Sequence, residues 1–134
     1  MNYRIWGALV LACLAGCSTS SGQLESASGT ATQTRKYPDN YQALYRKVLE
    51  PAQRCLAGGI SNRLTVDAQL YPDLGFGEIT DSRTSIAGRN YYIKVKISKA
   101  GNGSEMTVWS GNTLAKSHDM NLVFSWAEGK TECL

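Results

Sequence analysis

The residues with chemistry to offer are few: one histidine, four cysteines and eleven carboxylates in a chain of 134 residues. His118 is the natural general base, yet no serine or cysteine motif accompanies it, and Ser110 in WSG lacks the strand-turn-helix GxSxG pattern of a hydrolase nucleophile. Asp67, Asp73, Glu78 and Asp81 lie close enough in sequence for the carboxylate pair that glycoside hydrolysis uses. The competing reading is a set of solvated strand and turn carboxylates. A single histidine leaves a metal site short of ligands, and the glycines form no phosphate-cradling motif. The expectation is therefore a non-enzymatic protein with no catalytic residues, no metal and no cofactor.

The cysteines point elsewhere. Arg4 precedes an apolar run from Ile5 to Leu14, closed by the small residues Ala15 and Gly16, which is the layout of an export signal. The run has about half of the roughly 20 apolar residues that a transmembrane helix needs, so residues 1–16 are expected to be removed. Leu14-Ala15-Gly16-Cys17 resembles the lipobox of bacterial lipoproteins, a resemblance confined to about the first 20 residues. It implies cleavage between Gly16 and Cys17, a diacylglyceryl group on the Cys17 thiol and a further acyl chain on the new N-terminus. Two or three chains, at about 0.8 kcal/mol per buried CH2, make a permanent anchor. Ser18, where an aspartate would imply inner-membrane retention, implies the outer membrane of a Gram-negative host, facing the periplasm. The alternative is a secreted protein with a cysteine near an ordinary cleavage site.

Cys13 leaves with the signal, so Cys55 and Cys133 remain in an oxidising compartment, where an even pair reads as a disulfide. The alternative is two unpaired thiols. Residues 17–36 continue from the lipid site as STSSGQLESASGTATQTRK, rich in Ser, Thr, Gly and Ala. Such a composition buries too little to offset the entropy of ordering, so a flexible tether with a reach of about 24 Å is expected. Residues 37–134 then form one globular domain. Removing Arg4 takes the 14 Lys and Arg to 13, against 11 acidic residues, for a formal charge of +2. That bias is too weak to argue for nucleic acid.

Within the domain, Tyr41, Leu44, Tyr45, Val48, Ala52 and Cys55 recur at three- and four-residue spacing, the stripe of a buried helix face. Asp39 and Gln42 are placed to cap its start, Pro51 to bend or split it, and Gly58-Gly59 to end it. Period-two alternation then predicts four strands, over 64–70, 76–85, 91–98 and 105–110, with Lys99-Ala100-Gly101-Asn102-Gly103 as the strongest hairpin signal. Residues 113–128 fit either period; Asp119 as a cap and Gly129 as a stop favour a helix. The expected fold is α+β, a two-layer α-β-β-β-β-α arrangement with both helices on one face of a four-stranded antiparallel meander. This arrangement is similar to that of small lipoproteins of the bacterial envelope.

On that pattern Tyr91, Ile93, Val95 and Ile97 face inward, while Tyr92, Lys94, Lys96 and Trp109 project from the other face with Thr65 and Gln69 around them. Aromatics beside cations anchor protein partners or stack on sugars. The leading expectation is an anchored envelope lipoprotein that presents this face to a protein or other envelope component. The alternatives are a module binding peptidoglycan or lipopolysaccharide, or an inhibitor of a host hydrolase, with an ordinary solvated face as the plainest reading.

Overall fold

The computed structural model describes residues 20–57, 64–112 and 114–133. The expected signal segment 1–16, the expected lipid site Cys17 and the expected helix stop Gly58-Gly59 lie outside them. The described chain runs α1 (Ser21–Ser26), β1 (Ala31–Tyr37), α2 (Tyr41–Cys55), β2 (Leu64–Tyr71), a 3-10 turn (Pro72–Leu74), β3 (Phe76–Ser85), β4 (Gly88–Ala100), β5 (Gly103–Ser110) and α3 (Lys116–Ala127). It is an α+β fold built on one antiparallel sheet of five strands, in the order β1-β5-β4-β3-β2.

The four expected strands form the meander β2 to β5, and the hairpin at Gly101-Asn102 closes between Ala100 and Gly103. Their pleat sends Ile79, Ile93, Val95, Ile97, Met106 and Val108 to one face, all buried. Against that face α2 lays Tyr41, Leu44, Tyr45, Val48 and Ala52, and α3 lays Met120, Val123, Phe124 and Trp126. Each such side chain contributes about 1.5–3 kcal/mol by leaving water. Gly77 is part of this fit. A Cβ there would lie 2.6 Å from Cδ2 of Tyr45, so the glycine gives the ring its place on the strand.

Residues 20–36 are not a tether. They hold α1 and β1, and β1 pairs with β5 from Ala31↔Ser110 to Tyr37↔Ser104. The open edge of β5 supplies a row of backbone partners, and pairing with it satisfies them and moves the edge of the sheet to β1. That gain is invisible to a composition argument. It also makes the sheet five-stranded, and α1 lies on the face opposite α2 and α3, so helices are not confined to one side.

Capping differs in detail. The N-cap of α2 is Asn40, whose side chain accepts from the Gln42 N–H at 2.9 Å, while Asp39 pairs with Lys47 at 3.2 Å. Pro51 is buried inside α2 without splitting it. Asp119 sits in the first turn of α3 rather than capping it.

The C-terminal tail is held to α2. Cys55 and Cys133 form a disulfide with Cα atoms 5.2 Å apart, Arg54 donates to the Thr131 carbonyl, and the indole N–H of buried Trp126 donates to the Glu132 carbonyl at 3.0 Å. The double substitution Cys55→Ala, Cys133→Ala is expected to lower unfolding free energy in urea by about 4 kcal/mol, from the lost constraint on the unfolded chain. An unchanged urea midpoint would refute that role for the bridge.

Candidate binding face

The outer face of the sheet is assembled from alternate residues of all five strands. Register places Thr34 and Thr107 side by side, their hydroxyls 2.9 Å apart, and carries the row onward to Lys96 and Glu78. Lys94, Lys96 and Trp109 belong to this face, as the alternation requires. Tyr92 does not. Asp81 pairs with Ile93 but Ser82 pairs with Tyr91, so Tyr92 is the extra residue of a β-bulge and packs against the core. The bulge hands the outward position to Tyr91, which lines a cleft on the outer face. Strict alternation could not foresee this, because one inserted residue exchanges the faces of everything beyond it.

The middle of the face is covered. Ser20 caps α1 by accepting from the Gln23 N–H at 3.1 Å, and the helix drops Leu24 onto the sheet, where it is 1% exposed. Gly111 is the floor beneath it; a Cβ there would stand 2.6 Å from Cδ1 of Leu24. The next residue, Glu25, pairs with Lys94, whose Nζ also lies 3.1 Å from Glu78 and 6.0 Å from the centre of the Trp109 ring. Lys94 is 4% exposed. Burial pulls its pKa down, but hydrogen bonds to Glu25 and Glu78 outweigh that, and the net shift is upward. The lysine is therefore charged and neutralised within the fold rather than offered to a partner.

What remains open lies on either side. Lys96 extends over Phe76, its Nζ 4.7 Å from the ring centre, above a shallow groove with Lys99 and Asp73 along its rim. Beside the start of α1, Ser21, Asp67, Gln69, Glu78, Thr80, Arg89 and Tyr91 line a cleft of about 400 Å³. Arg89 is fixed there: it pairs with Asp67, donates from Nε to the Ser82 hydroxyl at 2.8 Å and lies 5.3 Å from the Tyr91 ring. Carboxylates, amide, hydroxyl and guanidinium around an aromatic ring are the groups that bind a polyhydroxylated ligand.

The four clustered carboxylates do not gather at one point, although Asp67 and Glu78 line the same cleft, Asp67 held by Arg89 and Glu78 by Lys94. Asp67 and Glu78 belong to the outer face, Asp73 to the 3-10 turn and Asp81 to the inner face. Asp81 instead lies near Asp119 of α3, which accepts from the Ser110 hydroxyl at 3.4 Å, while His118 is exposed on the same turn. Asp81 is 5% exposed and its Oδ1 has no hydrogen-bond partner among the described residues. Burial, and then the charge of Asp119, push its carboxyl up to about 7, against the lowering effect of the Ser82 backbone N–H. Burial raises Asp119 as well, opposed by hydrogen bonds from Asn112 and Ser110 and by His118. The sequence signal for this pair was an aspartate at an inward strand position, between Val66 and Ile93 in register.

No family model matches the chain, and no curated protein matches it. Among solved structures, the crystal structure of Ara h 8.0201 is 11% identical over 75% of this chain and 95% of its own, with a TM-score of 0.35. The protein Ms6760 from Mycobacterium smegmatis is 17% identical over 74% of this chain and 85% of its own, with a TM-score of 0.31. Likenesses at this level carry no functional argument.

Two outcomes follow from the site. The folded state holds the Asp81 proton more tightly than the unfolded chain, so the associated stability, up to about 4 kcal/mol, is complete below about pH 4 and lost as pH rises through about 7. Melting temperature should fall from pH 5 to pH 8, and Asp81→Asn should flatten that slope and raise the value at pH 8; an unaltered slope would refute the assignment. Leu24→Ala should release α1, seen as lost hydrogen-exchange protection over residues 21–26 and a red-shifted Trp109 emission, with the helices on the inner face still protected. Full protection of α1 in that variant would show that Leu24 does not hold it.

Proposed function

We propose that this chain is a non-enzymatic lipoprotein of the bacterial cell envelope, held by acyl chains on Cys17 at the outer membrane and facing the periplasm, whose outer sheet face engages an envelope component. The observation that carries the reading is the lipobox Leu14-Ala15-Gly16-Cys17, followed after only three residues by a helix cap at Ser20. A domain placed that close to its anchor is suited to holding one surface in a fixed relation to the membrane. Lys96 and Phe76 supply the cation and aromatic of a protein-binding patch, in place of the Tyr92 and Lys94 that the fold withdraws.

A second reading, a glycan-binding module for peptidoglycan or lipopolysaccharide, is favoured by the cleft around Tyr91, Asp67, Gln69 and Arg89. The two separate experimentally. A photo-crosslinking residue at Lys96 should capture a discrete protein in cells, and Cys17→Ala should abolish both the adduct and membrane retention. Retention of Cys17→Ala in the membrane with an unmodified mass would overturn the lipid anchor. No protein adduct, together with quenching of Trp109 by soluble envelope glycans, would replace the first reading by the second.

A further inference from the structure

One end of the sheet gathers features that the outer face does not use. β5 stops at Ser110, opposite Ile93, and β1 begins there at Ala31. β3 and β4 continue past this point through Ser82–Tyr91 to Ser85–Gly88. At about 3.4 Å per residue, this arm projects roughly 14 Å beyond the ends of β1 and β5. Its turn carries Ile86, wholly exposed, and the connection from β5 to α3 carries Leu114, 97% exposed. Arg83 is exposed on the arm, and Lys116, two residues after Leu114, is half-buried with its Nζ donating to the Gly29 carbonyl.

The chain enters beside the base of this arm. Ser21, the first residue of α1, lines the cleft formed with Arg89 and Tyr91 of the arm. Cys17 lies three residues before Ser20, and a fully extended chain spans at most about 3.6 Å per residue, so acyl chains on Cys17 begin within roughly 11 Å of the cap. A single exposed aliphatic residue needs no explanation. Two of them on separate connections, with a cation beside them and the lipid site within reach, have one surface in common.

We propose that this end of the domain is a second membrane contact, in which Ile86 and Leu114 enter the headgroup layer and Arg83 meets its phosphates. The inference rests on the lipid-anchor reading and adds an orientation to it. The arm stands toward the bilayer, and the outer face with Lys96 is turned sideways, open to the periplasm. Apolar tips beside a long cationic side chain are the residue pattern that seats a protein surface at a lipid interface. Leu74, 70% exposed, belongs to the turn between β2 and β3 and lines a groove with Gly101 at the opposite end of the sheet. It is the internal control.

The test uses the full lipidated protein in vesicles of phosphatidylethanolamine and phosphatidylglycerol. Ile86→Cys, Leu114→Cys and Leu74→Cys each carry an environment-sensitive fluorophore, and intact mass reports acylation of Cys17. We expect emission at 86 and 114 to rise severalfold on reconstitution and to be quenched by lipids spin-labelled near the headgroup, with no change at 74. Equal signals at the three positions in an acylated protein would overturn the membrane contact while leaving the anchor standing. A mass without acyl chains would overturn the anchor, and this inference with it.

Discussion

The pleat of β4, the central strand, organises the domain. One face of the strand must be dry, because Ile93, Val95 and Ile97 are covered by α2 and α3, and the other face receives two lysines from the same run of residues. A flat polar face would simply remain wet. Here α1 closes over its middle, and Lys94 becomes a charge in a nearly dry place, where Glu25 and Glu78 must both reach it. Such a buried pairing adds little net stability, since desolvation offsets most of the attraction, but it fixes where α1 lies. Leu24 on Gly111 supplies the apolar part of the same contact.

The inner face shows the opposite solution to a buried charge. Asp81 is buried, with a like charge, Asp119, as its neighbour and one oxygen without a partner among the described residues, so its carboxyl keeps its proton to a pH near 7 instead of ionising. The two residues sit on opposite sides of adjacent strands, Lys94 on β4 and Asp81 on β3. One is neutralised by partners and the other by protonation. The difference follows from which helices happen to cover each face and what they carry.

The mechanical consequence concerns the proposed anchor. A lipidated cysteine on a long tether would let a domain rotate freely, so that no face had a preferred direction. With α1 docked by Leu24 and Glu25 and β1 hydrogen-bonded along β5, only two residues separate Cys17, the proposed lipid site, from the Ser20 cap. A surface can then be specific for the bilayer or for a neighbour beside it, because the entropy of orienting it has already been spent on folding.

Local pattern determined a good deal. The stripe from Tyr41 to Cys55, the alternation in β2 to β5 and the Gly101-Asn102 turn are all set by residue type at short spacing, and the pairing of Cys55 with Cys133 follows from their being the two cysteines of the domain. Three features were decided only by tertiary structure. Residues 20–36 have too few apolar side chains to order themselves, and become helix and strand because an open edge of β5 and a glycine floor at Gly111 wait for them. Tyr91 and Tyr92 exchange faces because a bulge depends on the partner strand, which a single-strand pattern cannot contain. Asp81 and Asp119, far apart in the chain, meet because α3 packs across the inner face, and only the closed core removes the water that would have left both carboxyls at their ordinary values.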